Sequence, residues 1–228
     1  MTLIYTDVGD QIGRVDLISH MGDDKRIVNA ARVSFGKDND EPFDPERDTK
    51  LIKYLLTNGH TSPFEHCSIT WRFTVPLFVR SQHHRHRTWA YNEVSRRYTS
   101  EELEFYLPQT FRSQHEKNRQ ASNEDAFNPW ISPLQGCASD IVRHAVLKSK
   151  AVYHALLTAG VAREQARMVL PQNLYTSYYG TVSLHNAFGF LRQRLDAHAQ
   201  WEIRRVAEAM RDDLRGLFPA AMAAFEEV

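Results

Sequence analysis

The run Ser68–Pro76 constrains this chain more than any other stretch. Ile69, Trp71, Phe73 and Val75 alternate with Ser68, Thr70, Arg72 and Thr74. Successive strand side chains point to opposite faces, so this period of two predicts a strand with one buried face. Such a face has to be covered by other elements. Pro76 ends the strand and can open a short helix running into Gln82. Thr2–Tyr5 and Arg14–Ser19 read as short strands, Leu103–Leu107 as another candidate, and Leu174–Ser183 as β-like. Asp23 or Asp24 can cap a helix running through Val33. Asp44-Pro45 places an N-cap before a proline in the first helical turn, where the missing N–H is harmless. That helix carries Leu51, Ile52, Leu55 and Leu56 and stops at Gly59; a turn-rich loop, His60–His66, follows. Further helices are predicted over Ser139–Thr158, with Ile141, Ala145, Val152 and Leu156 as its apolar residues, and over Ala162–Leu170. Two more follow over Leu184–Leu195 and along Ile203, Val206, Met210, Leu214 and Leu217. Gln109–Pro129 is polar and aperiodic, so a surface loop is expected. No Gly-, Ser- or Pro-rich linker divides the chain, which predicts one α+β domain over residues 1–228.

The predicted strand feeds a strongly basic stretch. Arg80–Arg97 holds five Arg, three His and one acidic residue, Glu93, in a chain whose net charge is +0. The positive charge is therefore concentrated here. Arginine offers a planar fork of donors that grips phosphate or carboxylate bidentately. Trp89, Tyr91, Asn92 and Tyr98 are interleaved with the arginines, which suits a ligand with phosphates at one end and a flat ring at the other. A solvated charged face is the alternative, but such a face rarely places Trp and Tyr between its arginines.

Other chemistries find less support. There is no GxG, hence no Rossmann fingerprint and no P-loop, so a bound nucleotide would have its phosphates held by side chains. His83, His84 and His86, with His60 and His66, could suggest a metal, but the spacing is poor and the neighbouring arginines repel a cation. Hydrogen-bonding or anion-contacting histidines are expected instead, and no metal. Ser95 has no activating base in the sequence pattern, so a hydroxyl donating to a ligand oxygen is the better reading. The two cysteines, Cys67 and Cys137, lack a CxxC or zinc spacing and read as free thiols of a reducing cytoplasm, not as nucleophiles. No apolar run is long enough to span a bilayer. A pI near 7.2 argues against bulk attraction to nucleic acid or membrane.

Arg85-His86-Arg87, followed by Ser95, resembles the R-H-R-x7-S signature of the flavin-dependent thymidylate synthases. The usual extension is present as Asn92, Glu93, Ser95, Arg97 and Tyr98. Further blocks are similar to the family in family order: Ala30–Phe35, Gly59-His60 with Pro63–His66, Ala166-Arg167 through Tyr175, and His198–Ile203. The resemblance implies the fold of that family, an antiparallel sheet packed with helices as a two-layer sandwich. It implies a methyltransferase making dTMP from dUMP, with methylenetetrahydrofolate as one-carbon donor and FAD reduced by NADPH. It also implies a homotetramer with shared active sites, located in the cytoplasm.

By the same resemblance, Gln82, His83, His84 and Arg85, together with Glu93, Val94, Ser95, Arg96 and Arg97, look like dUMP-contacting segments. Arg167 and Arg194 look like further dUMP-binding arginines, and Arg194 matches the residue that activates the uracil ring. FAD is expected at His60, Ser62, Arg85, His86, Arg87, Glu93, Ser183, Leu184, His185 and Gly189. Ser183 and His185 depart from the family, where many members have Asn and Arg, and a neutral His is a weaker phosphate partner. On an ideal helix His185 and Gly189 share a face, while Arg194 turns to roughly the opposite side, which favours a site built from several subunits. The rival readings are a flavoprotein of other specificity and a single-stranded nucleic-acid binder stacking bases on Trp89, Tyr91 and Tyr98. The zero net charge counts against the second.

Overall fold

A computed structural model describes residues 1–36, 42–98, 102–119 and 122–228. Its centre is a five-stranded antiparallel sheet in the order β1-β2-β3-β9-β4. The strands are β1 (Thr2–Leu3), β2 (Arg14–Met21), β3 (Ser68–Pro76), β4 (Ala90–Glu93) and β9 (Tyr175–Ser183). Strand β3 is the run singled out by its alternation. Ile69, Trp71 and Phe73 are fully buried and lie opposite Val182, Gly180 and Tyr178 of β9. Gly180 has a packing reason: a Cβ there would meet the Phe73 ring at 2.9 Å and Trp89 at 3.2 Å. The other face carries polar cross-strand pairs, Thr70 with Thr181 and Thr74 with Ser177, both 2.9 Å apart. Arg72 donates from Nε and Nη2 to Asp16 on β2.

Helices form the second layer. They are α1 (Asp24–Arg32), α2 (Pro45–Thr57), α3 (Ser62–Glu65), α4 (Leu77–His83), α5 (Ala138–Thr158), α6 (Arg163–Ala166), α7 (Leu184–Arg194), α8 (Trp201–Leu217) and α9 (Pro219–Glu227). The amphipathic face of α8 buries Ile203, Val206, Ala207, Met210 and Leu214, as its 3.6-residue spacing predicts. Asp213 of α8 accepts a 2.9 Å bond from the Trp71 indole. Asp44 caps α2, accepting from the Glu46 and Arg47 amides. Both candidate caps near α1 are used, at different places. Asp23 accepts from the Arg26 amide of α1, whereas Asp24 accepts from the Ala220 and Ala221 amides of α9. The carboxylate of Asp24 thereby ties the two ends of the chain together where α9 has unsatisfied donors.

Five expectations need correction. The stretch Gln109–Pro129 is not a plain loop: β5 (Phe111–Gln114) pairs with β6 (Ser122–Phe127) as an antiparallel hairpin, while Gln120 and Ala121 lie outside the described residues. Its residues are mostly exposed, so no face repeats with period two. A second small pair, β7 (Trp130–Ile131) with β8 (Gly136–Cys137), follows it. Leu103–Leu107 forms only a single bridge, Phe105 to Leu174, because its apolar residues fill a second cluster with Val146 and Tyr153 of α5. Those two α5 residues are buried while Val152 is exposed, so the inward face of α5 differs from the one predicted. Ala162–Leu170 is a one-turn helix and a 3-10 turn, and the expected loop at His60–His66 contains α3. Among the described residues no helix is long and apolar enough to cross a membrane.

Candidate active site

The basic stretch is laid out along β4 and its approach. Ala90 lies opposite Thr181 and Glu93 opposite Tyr178, and the Val94 amide donates to Ser177. Arg85–Arg87 therefore precede the Ser183 end of the sheet, and Ser95 lies toward the Tyr175 end. From Tyr175 to Ser183 is eight residue steps, roughly 26 Å of strand.

At the Tyr175 end the chain builds a cleft of about 540 Å³ that Glu93, Val94, Ser95, Arg96 and Arg167 help to line. Five of the predicted substrate residues are thus brought together. Glu93 does not point freely into it. Arg80 of α4 grips its carboxylate from two sides, Nε at 3.0 Å and Nη2 at 2.6 Å, and Thr176 adds a 2.8 Å hydroxyl bond. Arg80 was not among the predicted site residues. The signal that could have found it, an Arg thirteen residues before a lone Glu, has meaning only once α4 and β4 lie side by side. Arg167 donates only to the Glu164 carbonyl and has no ion pair among the described residues, so its guanidinium remains available for an anion. Arg97 is exposed and lies 3.4 Å from Glu164.

A second group forms around the end of α7. Arg194 donates from Nε to His86 Nε2 at 3.1 Å. Burial, reinforced by that guanidinium, pushes the His86 imidazolium down to about 4. His86 is neutral near pH 7 and accepts with Nε2, so its proton sits on Nδ1. Burial also lowers the pKa of half-buried Arg194. The bond from Nε orients the fork, and its two Nη groups have no protein partner among the described residues. Gln82 donates to Gln200 nearby. Arg194 and Gln82 do not line the cleft that holds Ser95 and Arg167.

The remaining predicted residues divide clearly. His83 is 1% exposed, and its Nδ1 is 2.8 Å from the Tyr178 hydroxyl. It packs edge-on to Phe73 and Trp89. Its side chain therefore braces the core, and a ligand at this position would meet the His83 backbone. Trp89 is also buried, and the Tyr91 hydroxyl donates to the His83 and His86 carbonyls. These aromatics hold the basic loop in shape and are not a stacking platform. His84 stacks on Tyr91 with ring centroids 4.1 Å apart. Leu184 is fully buried, so only its backbone can meet a ligand. Ser183 caps α7, accepting from the Asn186 amide. His60 is exposed and stacks on Tyr54, and Ser62 is exposed at the start of α3.

The residues at the Ser183 end fit an extended diphosphate ligand such as FAD. Arg85 and Arg87 are exposed and carry no ion pair among the described residues. A Cβ on Gly189, inside α7, would meet nothing within 4 Å. Glycine costs a helix interior about 1 kcal/mol against alanine, and nothing among the described residues requires it here. The open space beside Gly189 lies on the helix that Ser183 and His185 begin.

Cys67 does not suit nucleophilic chemistry. Cys67 lies just before β3, and burial pushes its thiol up to about 12. Cys137 occupies the N-cap position of α5.

The family model described as thymidylate synthase complementing protein matches residues 16–220. A flavin-dependent thymidylate synthase of Thermus thermophilus is 46% identical over 215 residues, covering 94% of this chain and 76% of the relative. One of Thermotoga neapolitana is 41% identical over 213 residues, covering 93% of this chain and 90% of the relative. Among solved structures, the UMP/dUMP methylase PolB of Streptomyces cacaoi bound with 5-Br dUMP superimposes with a TM-score of 0.82. Its sequence is 33% identical, and the match covers 94% of this chain and 95% of that one.

Proposed function

The chain belongs to the flavin-dependent thymidylate synthase family, and we propose that residues 1–228 act as one domain that converts dUMP to dTMP at sites shared between subunits of a homotetramer. Methylenetetrahydrofolate gives the carbon. Bound FAD supplies reducing equivalents drawn from NADPH. Arg85, Arg87, Ser62, the Ser183–His185 backbone and the space at Gly189 would hold it. Arg96, Arg167 and Ser95 take the phosphate of dUMP, a role their guanidinium and hydroxyl donors suit. Glu93, held by Arg80 and Thr176, is a fixed acceptor for a sugar hydroxyl. Two free thiols are in keeping with a cytoplasmic enzyme.

The observation that carries the reading is the Arg194–His86 bond. A neutral histidine anchors Arg194 without cancelling its charge, as a carboxylate would. The guanidinium is then free to stabilise negative charge that gathers on the uracil ring as its C5 becomes a nucleophile. Partial burial strengthens that interaction relative to water. Arg194 does not line the Ser95–Arg167 cleft of its own chain, which supports sharing.

The test uses two variants. Arg194→Ala should lower kcat by about 100-fold or more, because the stabilised charge is largest in the transition state. Arg167→Ala should raise the KM for dUMP. Co-refolded mixtures of the two should recover turnover that neither shows alone, since some sites then combine both intact arginines. Mixtures no better than their parents would reject the shared site. A wild-type protein that makes no dTMP would reject the activity.

A further inference from the structure

Four polar side chains form one line from the β5–β6 hairpin to α4. Arg112 of β5 donates from Nη2 to Glu202 Oε1 at 2.6 Å. Gln200 donates from Nε2 to Glu202 Oε2 at 2.8 Å. Gln82 donates from Nε2 to Gln200 Oε1. Glu202 is 6% exposed and is held further by the Tyr106 hydroxyl, 3.4 Å from Oε1, and by the Tyr5 hydroxyl on its backbone carbonyl. The Arg112 guanidinium also lies over the Trp201 ring at 4.8 Å.

The direction of this line is set at Glu202. A carboxylate has only acceptors, so Gln200 must turn its NH2 toward it. The carbonyl oxygen of Gln200 then faces Gln82, which must turn its own NH2 inward. A reversed Gln82 amide would bring two oxygens together. What Gln82 can still offer a ligand is its carbonyl oxygen and one remaining N–H, with oxygen and nitrogen in fixed order.

We propose that Arg112, Glu202 and Gln200 are positioning residues that lock the Gln82 amide so that the site accepts uracil and rejects cytosine. The inference rests on the dUMP reading of the site. Uracil presents an N3–H donor between two carbonyl oxygens, and the locked amide satisfies that donor and one of those oxygens. Cytosine has a lone pair at N3 and an amine at C4, so its N3 meets the Gln82 oxygen with no proton between them. A free glutamine would rotate by half a turn and serve either base; a locked one cannot. A pocket built to pair one hydrogen-bonding pattern rejects another because polar groups are left unpaired.

The experiment measures equilibrium dissociation constants of dUMP and dCMP for the FAD-loaded wild type, Gln200→Leu and Glu202→Gln. The wild type should favour dUMP strongly. Both variants should narrow the dCMP-to-dUMP ratio by about tenfold or more, chiefly by losing dUMP affinity. Gln200→Leu leaves the Arg112–Glu202 pair in place, so it decides the matter where Glu202→Gln fails to fold. An unchanged ratio, or equal losses for both nucleotides, overturns the lock and leaves these residues a structural role. A wild type that binds both nucleotides alike also overturns it. A wild type that binds neither removes the dUMP reading itself, an outcome distinct from the others.

Discussion

The two ends of strand β9 are organised on different principles. At the Tyr175 end the chain pairs its own carboxylate and leaves Arg167 open to an anion. Glu93 receives two bonds from Arg80 and one from Thr176, and the cleft beside it exists within a single chain. At the Ser183 end Arg85 and Arg87 stand exposed without ion pairs among the described residues, and the space beside Gly189 is open. Folding one chain is enough to assemble the first. The second keeps its charge and its space for something the chain does not contain. A substitution at the first end should therefore register as lost stability as well as lost binding. At the second end binding and stability should come apart.

The largest effect should follow from Glu93→Ala. It leaves Arg80, whose side chain is 32% exposed, with its charge unpaired. We expect a loss of about 2–3 kcal/mol in urea unfolding, the scale for charge-assisted hydrogen bonds, together with weaker dUMP binding. Unfolding within about 0.5 kcal/mol of wild type would mean that this end is no more self-sufficient than the other. Next comes Arg87→Ala, which should leave unfolding nearly unchanged, as is usual for an exposed residue. Its flavin-to-protein ratio after gel filtration should fall, since losing a phosphate fork costs roughly 1.5–3 kcal/mol of binding. An undiminished ratio would take Arg87 out of the cofactor site. The smallest and sharpest change is Gly189→Ala. Added helix propensity should stabilise the flavin-free protein by up to about 1 kcal/mol. The new methyl should nevertheless reduce flavin retention. If stability and retention rise together, the space at Gly189 is not part of the cofactor site.

Much of the architecture was legible in the chain because local rules govern it. The alternation of Ile69, Trp71, Phe73 and Val75 is a direct record of one buried sheet face, and Asp44-Pro45 records a helix start. The spacing from Ile203 to Leu214 records one covered helical stripe. Where an element is mostly exposed and polar, as β6 of the hairpin is, that record does not form, and the strands read as a loop. The basic stretch was legible as charge but not as geometry. Interleaved Trp89 and Tyr91 suggested ring-stacking, yet with His83 they are the packing that holds the loop.

By itself, then, the sequence determined the family, the strand that centres the sheet, the helix caps and the residues available for chemistry. Only the tertiary structure decided which of those residues meet. Arg80 finds Glu93 across 13 positions, His86 finds Arg194 across 108, and Gln82 finds Gln200 across 118. Periodicity reports what each residue's own backbone imposes on it. A hydrogen bond between distant positions depends on how strands and helices are ordered in space, and no local pattern carries that order. The same limit applies to direction. Glu202 orients the Gln82 amide through Gln200 because a carboxylate has no hydrogen to donate, a constraint that acts only once folding has brought the three together.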